Sequence, residues 1–382
     1  MIGEHLEKYD YKYMKDMALG LIDEKYDKRD NSIISDTLSP ASYQLAEFFM
    51  ELRNAYLNSS IYTAYGSYLD DKVIEQGIVR YSATKAIKKG TFEFEGNSNK
   101  LVPIGARFST IDTNELLIYK VIENINANEC LLECETEGII GNSYVGDLLP
   151  VDYINNLTVS KITSLVQSAR DIEDDESLRQ RYFDSLINKK FAGNIQYYID
   201  ELKELDGIGA VQVYPVWNGG GTVKCSIVDN ELNPVSSDFI DKIQNIVDPE
   251  NSNGDRGQGL GIAPIGHKVT ISTATDITLN ISANVDLEPG YILSNLKPDI
   301  TKELKNYIDT VKNLWGIADQ LNEHNVKAYI SKITASILNV KGIANVTDVK
   351  INNSNNDLVF VQDSTKQEMP KLGDVNLNGW YS

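Results

Sequence analysis

The residues best suited to chemistry are few and scattered. The three histidines, His5, His267 and His324, stand near a terminus, before a strand-like run and at a helix start. None has the spacing of a zinc site or of a base beside a nucleophile, so no catalytic residue is assigned. Cys130 and Cys134 lie four apart. On a strand both point to one face, where they read as two small buried thiols; zinc would require further ligands close by. With Cys225 the set is odd and sparse, which gives no disulfide framework. The runs Gly219-Gly220-Gly221 and 254–261 are glycine-rich but lack the Gly-Lys-Ser/Thr that opens a phosphate-binding helix, so they read as surface loops. The acidic run 171–176 lacks the central glycine of a calcium loop and suits a helix start, where the dipole favours negative charge. Asp374, Asn376, Asn378 and Gly379 match the first half of a calcium loop, but the sequence reaches Ser382 before the bidentate acid of the twelfth position. Asn378-Gly379 also suits a turn. No metal ligand and no cofactor-binding residue is assigned.

The charge balance narrows the partners. A formal charge of −19 repels phosphate backbones, so nucleic acid is not an expected partner. Lys85, Lys88 and Lys89 form a local basic cluster that reads as a solvated turn. No run of about 18 apolar residues occurs, so no direct membrane insertion is expected. Met1-Ile2-Gly3-Glu4-His5 has no basic segment followed by an apolar one. No secretory signal is therefore expected, and the product is expected to stay in the cytoplasm.

The elements that would position side chains fall into four stretches. Residues 1–80 read as a helical arm. Leu6, Tyr13, Met17 and Leu21 share one face, and Ser39-Pro40 offers a hydroxyl cap followed by a proline at the first helical position. Leu45, Phe48, Phe49, Leu52, Ala55 and Tyr56 then recur at three-to-four spacing. So short an arm cannot bury several apolar helix faces alone. Tyr13, Met17, Leu21, Leu45, Phe48, Phe49, Leu52 and Tyr56 are therefore the candidate subunit interface, and tyrosine suits such a role. Residues 81–160 change to a period of two over 91–95, 115–122 and 129–137, with turns at 103–105 and 138–142, and read as a small β domain. Residues 161–275 mix helices and strands: Leu178, Tyr182 and Leu186 mark one helix, Ile195 to Leu205 another, Val223 to Ile227 a strand. Phe239 to Val247 forms a helix that Ser236 or Ser237 can cap, and Lys268 to Thr273 a further strand. Residues 276–382 open with alternation from Ile277 to Leu287, the pattern of an antiparallel strand with one side in water. Two helices, carrying Leu296 to Val311 and Val326 to Ile337, and short strands near 346–351 and 358–361 follow. Gly207 and Gly342 each end a helix before a Val-rich strand, an echo that suggests two related modules. The expected class is α+β multidomain: helical arm, β domain and two sheet-and-helix modules.

An ordered set of short motifs runs through these stretches. It comprises Asp27-Lys28-Arg29, Ser32-Ile33-Ile34, Leu38-Ser39-Pro40-Ala41, Gly66 with Tyr68-Leu69-Asp70, and Gly77 with Arg80. It continues with Pro103-Ile104-Gly105, Arg107-Phe108, Glu137-Gly138, Gly141-Asn142 and Gly146. Glu173, Asp175, Leu178-Arg179, Arg181-Tyr182 and Ala263-Pro264-Ile265-Gly266 complete it. In this order the chain resembles the baseplate J-like proteins of contractile phage tails and related tail-like particles, in the form found in Gram-positive hosts. Asn31 and Ala169 stand where that family tends to carry glycine. The resemblance implies structural turns at Gly66, Gly77, Gly105, Gly138, Gly141, Asn142, Gly146, Pro264 and Gly266. It implies a wedge subunit without enzymatic activity, located in the baseplate of a virion or tail-like particle. Its N-terminal helices would pack with a second copy of itself and a second wedge protein. Its C-terminal modules would form a ring around the hub, next to sheath-initiating proteins, and hold a tail fibre or receptor-binding protein whose engagement triggers contraction. A small-molecule-binding or regulatory protein with α+β ligand modules is the alternative, and a hydrolase a third reading. Both would need a convergent polar pocket, which the sequence does not offer.

Overall fold

The computed structural model describes residues 4–96, 100–111, 116–187, 191–318 and 323–381. Glu115, expected to open a strand, lies outside them. The chain divides into two compact units, Met1–Tyr81 with Ile172–Lys189, and Ser82–Asp171 with Lys190–Ser382.

The first unit is helical. Leu6 is buried in a short turn, Glu4–Leu6, ahead of α1 (Tyr11–Gly20), so it does not share the α1 face of Tyr13 and Met17. Asp10 caps α1 by accepting from the Tyr13 amide at 2.8 Å, and Leu21 follows as the C-cap. The next helix corrects the expected start. α2 spans Ile33–Asn58, and Ser32, not Ser39, is its cap, accepting from the Ser35 amide at 3.2 Å. Pro40 lies inside α2. Ser32 is followed by an acidic first turn and offers as good a cap as Ser39. The helix then runs through the proline, losing only the backbone bond to Asp36. α3 (Ser67–Ile74) and α5 (Asp175–Ile187, numbered in chain order) complete the unit, with Ala64, Leu69, Val73 and Leu178 buried between them. The helix of Leu178 thus belongs with the arm, although about a hundred residues of chain intervene.

The second unit begins with a closed antiparallel barrel. Its strands are β1 (Lys85–Phe94), β2 (Arg107–Thr110), β3 (Ile118–Asn124), β4 (Glu129–Glu137), β5 (Gly146–Pro150) and β6 (Leu157–Gln167), in the order β1-β4-β3-β2-β5-β6. The short α4 (Ile140–Ser143) follows β4. Alternate residues point inward, and Phe92, Phe108, Tyr119, Leu132, Cys130 and Cys134 fill the core, both cysteines as free thiols. The lysine cluster is not a solvated turn. It lies on β1, whose inward phase runs Ala86, Lys88, Gly90, Phe92, so the strand period takes Lys88 into the barrel.

Two sheet-and-helix modules follow. The first has α6 (Ile195–Glu204), β7 (Ala210–Pro215), β8 (Thr222–Val228), α7 (Ser237–Val247) and β9 (Lys268–Thr273), with sheet order β7-β8-β9. Ser236 caps α7, its Oγ accepting from the Phe239 amide at 3.3 Å. Phe239, Ile243 and Val247 of α7 pack with Tyr198 and Leu202 of α6 over the strands. The second has β10 (Thr275–Leu287), α8 (Leu293–Lys312), β11 (Lys327–Ala328), α9 (Ile330–Leu338), β12 (Ile343–Ile351), β13 (Leu358–Val359) and β14 (Glu368–Tyr381). Val326 precedes β11 and is not on α9.

β10 is more enclosed than its alternation implies. It is the central strand of β12-β10-β14, antiparallel to β12 and parallel to β14. The central β8 has the same pairing, antiparallel to β7 and parallel to β9, so the echo extends to sheet architecture. β14 also settles 374–379. These residues lie in a strand, not a turn or a loop, with the Asp374 amide donating to Asn280 Oδ1 at 3.0 Å. An extended backbone spreads Asp374, Asn376 and Asn378 along one strand face and cannot wrap them around an ion. At the start of the antiparallel edge strands, Gly207 and Gly342 adopt φ values of 95° and 101°. A Cβ at Gly342 would stand 2.4 Å from the Tyr291 ring, and one at Gly207 2.8 Å from Gln167 and 2.9 Å from Phe239, so both need glycine for conformation and for space.

Candidate functional site: an arginine clasp beneath an exposed aromatic arm

Three arginines bind α5 to the helical unit. Arg80 donates through Nε to Asp70 Oδ1 at 2.7 Å, through Nη1 to the Glu173 carbonyl at 2.6 Å and through Nη2 to Asp175 Oδ1 at 2.7 Å. The other oxygen of Asp175 accepts from the Gly66 amide at 3.0 Å. Gly66 is the N-terminal flanking residue of α3 and has no cap of its own, so a carboxylate from α5 satisfies that helix end. Arg181 forks onto both oxygens of Glu173 at 2.9 and 2.6 Å, reaches the Val79 carbonyl at 2.7 Å and lies 4.0 Å from the centre of the Tyr81 ring. Arg179 donates to the Ile61 and Ala64 carbonyls at 2.8 and 2.7 Å and pairs with Glu176.

The electrostatics follow from these bonds. The Gly66 amide, opposed by partial burial and helped by Arg80, holds the Asp175 carboxyl below its ordinary range. Burial works against the Arg80 charge, but Asp70 and Asp175 outweigh it and raise its pKa. The clasp therefore keeps every charge in place. It binds elements together and presents no open nucleophile or base.

Outside the clasp, the arm carries an apolar row with little cover. Tyr13, Met17, Leu21, Leu45, Phe48, Leu52 and Tyr56 are all exposed, Phe48 at 61% and Leu21 at 87%. Phe49 differs: it is half-buried and stacks on Tyr9 with ring centres 4.4 Å apart. Leu45, Phe48, Leu52 and Tyr56 recur along one stripe of a 26-residue helix. Beside them a groove of about 350 Å³ is lined by Leu6, Tyr9, Tyr11, Tyr43, Met50 and Arg53.

The turn residues have distinct roles. Gly66, Gly77, Gly105, Gly138 and Gly266 take positive φ, as does Asn31 at 66°. Gly146 opens β5. Gly141 is held by close packing, since a Cβ there would meet Ala86 and Cys134 at 3.1 Å. Pro264 accepts the His267 amide at 3.0 Å. Asn142 is buried and clamps Ala169 on both sides. Its Oδ1 accepts the Ala169 amide at 2.7 Å, and its Nδ2 donates to the Ala169 carbonyl at 3.0 Å and to Glu231 Oε1 at 3.1 Å.

Lys88, expected in a solvated turn, is a buried cation. Its ammonium donates to the Asn142 and Tyr144 carbonyls inside the barrel, and burial, opposed by Glu231, lowers its pKa to about 8. The only signal available was its phase in the alternation of β1. Among the described residues, no group of three or more histidine, cysteine or acidic side chains could hold a metal ion, and no helix is long and apolar enough to cross a membrane.

Residues 190–273 match the model of the Baseplate J-like central domain, and residues 279–378 that of the Baseplate J-like protein C-terminal domain. Two relatives come from Bacillus subtilis (strain 168). Uncharacterized protein YqbT is 33% identical over 373 residues, 97% of this chain and 98% of the relative. Phage-like element PBSX protein XkdT is 30% identical over the same shares of both chains. Among solved structures, a chain of the 6-fold symmetrised anti-feeding prophage baseplate aligns over 95% of this chain and 97% of its own, with 8% identity and a TM-score of 0.37.

Proposed function

This chain belongs to the baseplate J-like family, a structural component of phage or prophage-derived baseplates, and we propose that within such a plate it is the wedge subunit. The observation that carries this reading is the exposed row Leu45, Phe48, Leu52 and Tyr56 on α2, whose following turn is held by Arg179 through the Ile61 and Ala64 carbonyls. A rigid root beneath an uncovered apolar stripe suits a helix bundle made with other chains.

In this reading residues 1–80 form the arm that bundles with a second copy and a second wedge protein. The modules that follow the β domain, α5 excepted, meet neighbouring copies in a ring around the hub. The ring adjoins the sheath-initiating proteins, holds a tail fibre or receptor-binding protein and relays its engagement to the sheath. The role involves no turnover, and assembly takes place in the cytoplasm of the host bacterium. The test is reconstruction, by electron microscopy, of the particle purified from a producing strain. The expected result is this chain in the plate, with α2 inside a multi-chain bundle. A plate that lacks the chain, or one in which the stripe faces solvent, overturns the reading.

A further inference from the structure

One five-residue loop touches every part of the second unit. Residues 229–233 open the connection from β8 to α7, which runs on to Ser236. The loop is folded on itself: Asp229 is buried, and its Oδ1 accepts from the Glu231 and Asn233 amides at 2.9 and 2.7 Å. Towards the barrel, the Asn230 amide donates to Ser168 Oγ at 3.1 Å and its side chain to the Ser168 carbonyl at 3.2 Å. Glu231 reaches from an exposed position to the Asn142 carboxamide at 3.1 Å, near enough to help hold Lys88 charged. Towards the second module, Leu232 packs on its core and Asn233 Oδ1 accepts from Lys312 at 3.1 Å.

Two features mark this junction as poised to move. Leu232 sits at φ 57°, a left-handed conformation that a branched side chain disfavours. A cavity of about 220 Å³ adjoins the loop, lined by Ser168, Gly207, Asp229, Asn233, Pro234 and Phe239. The cavity opens to solvent, so the loop has room beside it.

Lys242 Nζ also reaches Gln167 Oε1 at 2.9 Å, and Arg170 pairs with Asp206. We propose that loop 229–233 is a coupling latch that acts beside these links, holding the exit of β6 against the two modules while Glu231 is seated on Asn142 and loosening it when Glu231 is withdrawn. Seated, Glu231 steadies the carboxamide that clamps Ala169, so the exit of the barrel strand β6 is tied to the modules through side chains. Withdrawn, the loop relaxes its strained residue, and the Lys88 charge loses the nearby field of Glu231. The energies are opposed, which is what an element with two settings requires. The inference stands independently of the wedge reading, because it concerns coupling inside one chain.

The test is amide hydrogen exchange on the full-length chain, comparing the wild type with Glu231→Ala, Glu231→Gln and Asn230→Ala. Glu231 is exposed, so its two variants are not expected to impair folding; Asn230→Ala removes the bonds to Ser168 directly and serves as the reference for an opened loop. A working latch predicts exchange at the Asn230 and Ala169 amides that is roughly ten- to hundred-fold faster in Glu231→Ala, with a smaller change in Glu231→Gln, which keeps an acceptor. Exchange in β10 and β14 should not change. Acceleration confined to 229–233, with Ala169 unaffected, would show an ordinary surface turn and overturn the proposal. Loss of protection throughout both modules would also overturn it, since the loop would then be part of their folding core.

Discussion

Arg80 Nη2 lies 2.7 Å from Asp175 Oδ1 across 95 residues of sequence, and this bond holds the root of the arm together. The intervening chain builds an entire barrel and returns, and α5 closes back on α3. Charge-assisted bonds to carboxylates and carbonyls are the strong ones, and Arg80 makes them on four groups.

Arg80→Ala should therefore loosen the helical unit. Asp70 and Asp175 stay partly open to water, which screens the pair, so a loss of about 2 kcal/mol is expected rather than that of a wholly buried ion pair. Urea unfolding followed by helical circular dichroism would measure it. Faster exchange in α3 and α5, with the barrel unaffected, would locate it. An unchanged unfolding midpoint would show that apolar packing of Leu69, Val73 and Leu178 suffices.

The same carboxylate sets an acid limit. Asp175 is held below its ordinary pKa in the folded state, so its contribution is present above the unfolded value of about 4 and is lost as pH falls through the folded one. Asp175→Asn should reduce stability at neutral pH and flatten the fall in stability below about pH 4. A variant curve parallel to that of the wild type through this range would remove Asp175 from the account.

Lys88 acts with the opposite sign. Its pKa is about 8 in the fold against 10.5 for a free lysine, so between those values the unfolded chain binds more protons and stability rises with pH. The penalty for burying its charge is complete below about pH 8 and is of order 3 kcal/mol at most. The stability of Lys88→Met relative to the wild type should therefore be highest near neutrality and decline towards pH 10. Cys134 and Glu231 bear on the same ammonium, so the profile should be repeated in Glu231→Gln, where less opposes the penalty. A pH-independent difference would mean that the ammonium is hydrated in solution.

What the sequence made legible was local. α7 and its Ser236 cap, β9, the alternation of β10 and the shared face of Cys130 and Cys134 depend on periods and caps within a few residues. The misreadings arose where a distant partner decides. Pro40 marks a helix start unless an earlier serine caps the helix. Lysines on a strand look solvated until closure turns one of them inward. The Asn-Gly of β14 looks like a turn because parallel pairing to β10 lies about 94 residues away. The clasp residues were visible as an ordered set, but their convergence on Arg80 depends on the return of the chain at α5.

Glycine at the helix-to-strand junctions allows a sharp test of the repeated architecture. Gly342→Ala places a Cβ 2.4 Å from the Tyr291 ring at a φ of 101°, so backbone strain and a clash act together. The expected cost is roughly 1–3 kcal/mol. Calorimetry should show it as a lower melting temperature for the second module. A neutral effect would mean that Tyr291 and the turn relax without loss, and that the junction is less fixed than it looks.

The arm separates stability from assembly. Phe48 and Leu52 are exposed in the single chain, so replacing both with serine should change its unfolding free energy by no more than about 0.5 kcal/mol each. In a bundle the same side chains would be enclosed, and losing two apolar anchors would weaken association by about 2 kcal/mol or more each. Producing cells that carry the double variant should therefore accumulate folded, soluble chain and few complete particles, counted by electron microscopy after sedimentation. Normal particle yield would show that the stripe makes no contact that assembly depends on. A variant that unfolds would show that the stripe is covered within the chain itself, and either result would remove the physical basis for placing this arm in a bundle.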